Sequence, residues 1–263
     1  MRFVLGLPTD RVDLPDEFVT ADAVAELATA AERLGFDAVF VTEHPIPEQR
    51  WLDRGGHHAL DPFVALSFAA AATRSIRLLT NLLVLGYKNP FITAKSIASL
   101  DRLSGGRLIV GVGAGYMQPE FRALGSDFSR RNELCDEAIV AMKAAWSGDG
   151  VEVAGPDGEP SRHLALPLPL QQPHPPIWVG GNSKMAIRRA VELGDGWLPI
   201  PAPKKMASFI STASLNDLDD LRERLAYARA HAEKVGRTAP LDVCFVPFGL
   251  SMKSSDDIDP LLF

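Results

Sequence analysis

Several features that would place this sequence in a specialised class are scarce or absent. Its 263 residues contain two cysteines, Cys135 and Cys244, which are too few and too far apart for a disulfide framework. No apolar run reaches the roughly 18 residues of a membrane-spanning helix, and no basic tract of the kind that binds nucleic acid is present. The opening MRFVLGLPTD predicts a short strand rather than a signal peptide, because polar residues follow the brief apolar stretch at once. We therefore expect a cytoplasmic protein whose partners include neither nucleic acid nor a membrane.

The composition is that of one large globular domain. Hydrophobic residues make up 46% of the chain and the net charge is −6, a mildly acidic balance that usually serves solubility. Barrels of alternating strands and helices commonly use about 250 residues as one domain. We therefore expect 1–263 to be a single domain. A segment at about 148–176 contains seven prolines and predicts a surface excursion, such as a hairpin.

The stretch from 75 to 125 carries the strongest local pattern. Residues 76–85 form an almost unbroken apolar run, which is typical of a strand buried on both faces. Asn89-Pro90 ends that strand, and a helix of about 14 residues follows with apolar residues three and four apart. Ser104-Gly105-Gly106 then turns the chain into a second buried strand at 107–112. This order predicts a parallel βαβ unit with glycines at its carboxyl end, where parallel folds bind ligands.

The same alternation continues along the chain. Strands are expected at 3–7, 37–42, 76–85, 107–112, 176–180, 196–200 and 241–248, with helices at 21–34, 62–73, 93–103, 131–146, 185–193 and 218–235. Strands and helices that alternate with short connections predict a parallel sheet. Seven strands approach the eight of a closed barrel, and no eighth strand or helix is expected after 248. The predicted fold class is therefore α/β, a TIM-like (β/α)8 barrel that lacks its last β/α unit.

Glu43 and His44 directly follow the second expected strand, so both would lie at the carboxyl mouth of the barrel. Histidine can act as a general acid or base near neutral pH, and both residues are candidate catalytic groups. Two plainer interpretations stay open. His44 could bond to a backbone carbonyl, and Glu43 could either orient His44 or form a structural ion pair.

The loop at 43–59 contains candidates for a pocket that binds a small-molecule substrate. Trp51 could form an aromatic wall. His57 and His58 are adjacent, so their side chains point apart, and no third ligand stands at metal spacing. We therefore predict no metal site and expect Trp51 and His57 to line the substrate pocket.

Two glycine-rich turns are candidate cofactor sites. No helix is expected directly after the first, which argues against a dinucleotide-binding turn and favours close approach of a ring or phosphate to the backbone. The second precedes a helix, whose free N–H groups and dipole attract anions; alternatively, an Asn or Ser there only caps the helix. The candidates are Gly113, Ala114 and Gly115 in the first turn, and Gly180, Gly181, Asn182 and Ser183 in the second.

The same segments resemble a known family. A strand ending in Thr80-Asn81-Leu82, a proline at 90, and the runs AKSIASLDRLSGGRLIVGVGAG and EFRALG are similar to the luciferase-like monooxygenase superfamily. Within that superfamily the sequence most resembles the branch of F420-dependent oxidoreductases. The resemblance extends from about residue 1 to about residue 199.

The resemblance implies roles for several of these residues. It places His44 beside the reactive part of a flavin or deazaflavin. It also implies a non-proline cis peptide bond, by position Asn81–Leu82, in a bulge behind the cofactor ring, and a cofactor phosphate held by the turn at 180–183. Several flavin-using relatives carry an arginine near position 114, and the alanine found here favours F420 over FMN.

The function that the resemblance implies is F420-dependent hydride transfer to or from a small organic substrate, with the chemistry supplied by the cofactor. We expect a homodimer, because the apolar helices and the missing eighth unit favour a second copy. Two alternatives stay open. One is an FMN-dependent monooxygenase that uses reduced flavin, and the other is a non-catalytic or partner-dependent barrel.

Overall fold

The computed structural model describes residues 2–155 and 157–245, and one curved parallel sheet organises them. The strands of this sheet, in spatial order, are β1 (Val4–Gly6), β2 (Ala38–Val41), β3 (Arg77–Thr80), β5 (Leu108–Gly113), β8 (Ile177–Gly180), β9 (Gly196–Leu198) and β10 (Asp242–Val243). The short strand β4 (Leu83–Val84) pairs with the far end of β5. A separate antiparallel hairpin is formed by β6 (Val151–Ala154) and β7 (Pro160–His163).

Helices connect the sheet strands and cover the outer face of the sheet. In the described residues they are α1 (Pro15–Phe18), α2 (Ala21–Arg33), α3 (Gln49–Leu52), α4 (Pro62–Ala72), α5 (Pro90–Leu103), α6 (Gln118–Ala123), α7 (Arg131–Trp146), α8 (Lys184–Leu193), α9 (Lys204–Phe209) and α10 (Leu218–Lys234). Among them, no helix combines the length and apolar character needed to cross a bilayer.

The predicted α/β class is confirmed, because helices alternate with strands and neighbouring strands of the sheet run parallel. The helix expected at 131–146 has the bounds of α7. The last expected strand, 241–248, is present as β10. Residues 246–248 lie outside the described residues, and so does the segment after 248 from which the missing eighth unit was inferred.

The strand expected at 76–85 is divided into β3 and β4. The peptide bond between Asn81 and Leu82 is cis, as the resemblance implied. Four short helices, α1, α3, α6 and α9, were not predicted. Each has four to six residues, too few for a helical repeat of apolar residues to be recognised.

Side chains alternate between the two faces of the sheet, as the period of two in a strand requires. Val39, Leu78 and Val110 face outward into the large core shared with the helices. Their neighbours Phe40, Leu79 and Ile109 face inward and fill the interior of the barrel. There they form a second cluster with Trp178 and Leu198.

The proline-rich excursion is anchored on α5. As predicted it contains a hairpin, and the chain after this hairpin returns across α5. Asp101 is fully buried and accepts hydrogen bonds from the N–H groups of Leu170 (2.7 Å) and Gln171 (2.9 Å) and from Gln171 Nε2 (2.7 Å). A buried carboxylate with three donors holds the excursion to the barrel wall.

A carboxylate from α2 holds the start of β3. Glu32 Oε1 accepts hydrogen bonds from the N–H groups of Arg74 (3.0 Å), Ser75 (2.5 Å) and Ile76 (2.8 Å), and from the Ser75 hydroxyl (2.9 Å). Burial disfavours the charged form, but these hydrogen bonds outweigh it and lower the pKa of Glu32 to about 2.

We expect Glu32→Gln to lower the free energy of unfolding at pH 7 by about 1 kcal/mol, because a neutral amide is a weaker acceptor than a carboxylate. The folded pKa of Glu32 lies below its ordinary value of 4.5, so this stabilisation is present above pH 4.5 and is lost as the pH falls towards 2. Urea unfolding at pH values from 7 to 2 should show the difference between variant and wild type shrink across that interval. Glu26→Gln, at an exposed position of α2, is the control; a loss of equal size there would contradict the assignment.

Candidate active site

His44 lies just beyond β2, at the carboxyl edge of the sheet, and is surrounded by aromatic rings. Its ring centroid is 4.7 Å from that of Trp51, 4.8 Å from that of His57 and 6.4 Å from that of Tyr116. The His44 side chain is 11% exposed. The structure therefore brings the predicted residues Trp51 and His57 together with His44, and it adds Tyr116, which the sequence analysis did not single out.

Phe209 extends this cluster from another loop. It ends α9, and its ring stacks on that of Trp51 with centroids 6.2 Å apart and planes 8° from parallel. The indole Nε1 of Trp51 is buried and makes no hydrogen bond with any described residue. A mostly apolar wall with one unpaired donor suits an organic substrate that carries a polar group.

A fully buried carboxylate, Glu120 of α6, lies beside the His44 ring. Its Oε2 is 3.5 Å from His44 Nδ1 and accepts a 2.7 Å hydrogen bond from the Tyr87 hydroxyl. Its Oε1 accepts a 3.0 Å hydrogen bond from the Ile46 N–H. At 3.5 Å the contact with His44 is at the outer limit for a hydrogen bond, and Nδ1 has no other partner among the described residues.

These contacts decide the charge of the groups around His44. Burial alone would raise the pKa of Glu120, but the interactions with His44, Tyr87 and Ile46 hold the pKa below its ordinary value, so the carboxylate is ionised at neutral pH. Burial, with the Glu120 charge as a further cause, raises the pKa of Tyr116 to about 12 and also raises that of Tyr87. Both phenols are therefore neutral.

Glu43 is engaged by other partners than His44. Its Oε2 accepts a 2.7 Å hydrogen bond from the Val84 N–H, and its Oε1 lies 2.6 Å from Lys88 Nζ. Burial raises the pKa of Glu43 against the opposing charge of Lys88. Of the interpretations left open by the sequence, these contacts match the structural ion pair, and a catalytic role of Glu43 stays a prediction.

The side chain of Leu82 occupies the space next to two predicted cofactor glycines. A Cβ at Gly180 would lie 2.2 Å from Leu82 Cδ2, and one at Gly113 would lie 2.8 Å from Leu82 Cδ1. A Cβ at Gly115 would lie 2.5 Å from Val84 Cγ1. Packing inside the protein therefore accounts for glycine at all three positions, and contact of these residues or of Ala114 with a cofactor remains a prediction.

The turn between β8 and α8 presents free backbone donors. Ser183 caps α8, because its hydroxyl accepts a 3.2 Å hydrogen bond from the Ala186 N–H. The N–H groups of Ser183, Lys184 and Met185 make no hydrogen bond with any described residue. Gly181 has φ of +113°, a conformation that favours glycine and lets the chain enter the helix at this point.

Asn182 anchors this turn and has no free donor. Its Nδ2 donates to the carbonyls of Ile200 (2.8 Å) and Ala213 (3.0 Å), and its Oδ1 accepts from the Ile200 N–H (3.0 Å). Its own N–H donates to the Thr212 hydroxyl (3.1 Å). Asn182 therefore ties the segment around α9 to the turn, while the donors available to an anion are the three N–H groups that follow it.

A phosphate-bearing redox cofactor fits these residues. Consecutive unpaired N–H groups at the start of an α-helix suit a phosphate. The ring of His44, beside the buried carboxylate of Glu120, suits proton transfer next to a bound ring system.

Comparison with known proteins agrees with this geometry. A family profile described as luciferase-like monooxygenase matches residues 1–257. The chain belongs to this family. By that membership it is an oxidoreductase.

Curated relatives support the assignment. An uncharacterized protein of Mycobacterium tuberculosis is 34% identical over 276 residues, which cover 92% of this chain and 91% of that protein. The FMNH2-dependent dimethylsulfone monooxygenase of Pseudomonas putida is 31% identical over 222 residues, which cover 81% of this chain and 56% of that enzyme. The chain thus spans little more than half the length of the second relative.

Solved structures share the fold. The monooxygenase RslO1 from Streptomyces bottropensis has a TM-score of 0.72 and 26% identity, with 93% of this chain and 70% of that chain covered. The coenzyme F420-dependent tetrahydromethanopterin reductase of Methanopyrus kandleri has a TM-score of 0.67 and 21% identity, with 93% and 65% covered. The second likeness shows the fold alone. Together they confirm the predicted architecture, a sheet of the luciferase-like TIM-barrel type.

Four residues of the site were not predicted from the sequence: Tyr87, Tyr116, Phe209 and Glu120. Glu120 stands in the run EFRALG, which was used only for the family resemblance. The signal in the sequence was a Glu directly before a Phe. The burial of both residues in α6 is visible only in the structure. That signal was not used because no helix was expected directly after the glycines.

We expect Gly180→Ala to lower the free energy of unfolding by about 1–3 kcal/mol, because the new methyl group would overlap the Leu82 side chain. On a Leu82→Ala background the overlap is absent, so the same substitution should cost less. Urea unfolding of the wild type, the two single variants and the double variant measures this coupling. Equal costs on both backgrounds would show that Leu82 does not occupy the space beside Gly180.

Proposed function

We propose that this oxidoreductase uses F420 and transfers a hydride between the deazaflavin and a small organic substrate. The observation that carries the proposal is the position of His44 at the carboxyl mouth of the barrel, between a buried carboxylate and an aromatic wall. When bound, the deazaflavin supplies the hydride carrier, which the side chains of this site do not provide. The protein would bind and orient the cofactor and the substrate, and it would move the accompanying proton.

Backbone groups would hold the cofactor. The N–H groups of Ser183, Lys184 and Met185 at the start of α8 would bind its phosphate. Gly180 and Gly181 would let that phosphate approach the turn, and the bulge at Asn81–Leu82 would lie behind the ring. The ammonium of Lys184 lies over the Tyr227 ring, 5.2 Å from its centroid, so we expect the backbone rather than this side chain to bind the phosphate.

His44 would move the proton that accompanies hydride transfer. Oxidation of an alcohol, for example, releases a hydroxyl proton to a base, and reduction of the carbonyl returns it. Because His44 Nδ1 lies beside Glu120, Nε2 is the nitrogen left for the substrate. Trp51, His57 and Phe209 would enclose the substrate and keep water away from the reacting atoms.

The choice of F420 over FMN rests on Ala114. This side chain is partly buried against the main core and offers no cation to a phosphate. FMN is the second candidate, supported by the 31% identity to the FMNH2-dependent dimethylsulfone monooxygenase. Reduced FMN supplied by another protein would allow reaction with oxygen, whereas the deazaflavin limits the site to hydride transfer.

Titration of the purified protein with F420 and, separately, with FMN tests this choice. We expect micromolar binding of F420, seen as a change in its fluorescence, and binding of FMN weaker by about tenfold or more. Tighter binding of FMN would move the protein to the flavin-dependent monooxygenases. Binding of neither would favour the non-catalytic or partner-dependent alternative.

We expect His44→Gln to lower turnover about 10²–10⁴-fold, because the variant cannot transfer the proton. The dissociation constant of the cofactor should change little, since the phosphate donors lie on another turn. Turnover is followed by F420 absorbance with a panel of small alcohols and carbonyl compounds. The control is His58→Gln, at the exposed position next to the pocket residue His57, and it should retain turnover. Full activity in His44→Gln would remove the proposed role.

We also propose that the protein forms a homodimer. Helices α4 and α5 expose Val64, Phe68, Ile92 and Leu103, which are 57%, 49%, 65% and 79% accessible. A second copy would remove this apolar surface from water. Light scattering should then give twice the chain mass of 28.5 kDa, and a monomer at micromolar concentration would contradict the proposal.

A cytoplasmic location stays a prediction.

A further inference from the structure

We infer that Glu120 is a positioning residue: it fixes the proton of neutral His44 on Nδ1 and thereby directs the lone pair of Nε2 towards the substrate. The inference deepens the proposed function, because it concerns the same proton transfer. Its first test, however, needs neither cofactor nor substrate.

Glu120 contacts the His44 ring directly. Glu120 Oε2 lies 3.5 Å from His44 Nδ1, and an ionised carboxylate can only accept hydrogen bonds. A neutral imidazole carries one N–H and one lone pair. A carboxylate that faces Nδ1 therefore favours the tautomer with the proton on that atom, and closing the contact by a few tenths of an ångström gives a full hydrogen bond.

Glu120 also binds the backbone of the loop that carries His44. The other oxygen of Glu120 binds the N–H of Ile46, two residues after His44. The same carboxylate thus faces the ring and holds the loop that carries the ring. Tyr87, in the 3₁₀ turn Leu85–Tyr87, donates to Oε2 and packs edge-on against Phe121. This hydrogen bond fixes the carboxylate itself.

No other described group competes for His44 Nδ1. Glu43, the adjacent residue, is engaged by Val84 and Lys88. His57 contacts the His44 ring edge-on, but its own Nδ1 lies 2.8 Å from the His58 carbonyl. Of the neighbours that the structure describes, Glu120 alone offers an acceptor to Nδ1.

The test is the tautomer of His44, measured by ¹⁵N NMR on protein labelled at its six histidines. The His44 signals are assigned by their loss in His44→Gln. We expect the neutral wild-type ring to carry its proton on Nδ1. Glu120→Gln should shift the population towards the Nε2–H tautomer, because the amide that replaces the carboxylate can also donate. Glu43→Gln, which alters a buried carboxylate at the neighbouring position, should leave the His44 tautomer unchanged.

Turnover provides the second readout. In Glu120→Gln we expect kcat to fall about 10–100-fold with little change in the cofactor dissociation constant, as for other groups that orient a functional histidine. Glu120→Asp, which keeps the charge but shortens the side chain, should recover part of the wild-type tautomer population and of kcat.

Three outcomes separate the inference from the proposed function. A wild-type His44 protonated on Nε2 overturns the inference, and this result needs no variant to fold. An unchanged tautomer in folded Glu120→Gln also overturns it. The expected tautomers in a protein that binds neither F420 nor FMN would support the positioning by Glu120 while removing the proposed function.

Discussion

Glu120 is a charged carboxylate with no exposed surface, and a buried charge is costly unless donors surround it. Its donors come from two separate segments: Ile46 and His44 in the loop after β2, and Tyr87 in the turn after β4. Satisfying this one charge therefore brings together the parts of the chain that build the mouth of the barrel. The low pKa of Glu120 follows from the same contacts and keeps the group ionised, so structure and chemistry depend on one interaction.

The two glycine-rich turns have different physical reasons for their composition. At Gly113 and Gly180 the missing side chains make room for Leu82, so the glycines serve close packing between neighbouring strands. At Gly181 a positive φ is what the turn requires. The donors of the anion site proposed at α8 lie at other positions, because they are the backbone N–H groups at the start of the helix. A motif rich in glycine can therefore satisfy packing, turn geometry and ligand binding at separate positions.

The segment around α9 shows how the site is completed by residues without a sequence signature. Asn182 holds this segment through hydrogen bonds to Ile200 and Ala213, and Phe209 then reaches the Trp51 ring from across the mouth. A short helix of six residues has too little periodicity to be predicted, and a single Phe in it carries no functional pattern. Much of the proposed substrate wall therefore depends on hydrogen bonds between loops far apart in sequence.

The sequence by itself determined the alternation of strands and helices, the parallel sheet and the position of His44 at its carboxyl edge. These follow from local patterns: apolar runs, helical periodicity and the rule that connects a strand end to the mouth of a barrel. The family resemblance added the cis bond at Asn81–Leu82, which is present. Only the tertiary structure decided which carboxylate faces the histidine. Glu43 is adjacent in sequence but is paired with Lys88, whereas Glu120 is 76 residues away and contacts the ring. Sequence neighbours share a location but not a direction, and the direction of a buried charge is set by where the surrounding donors meet.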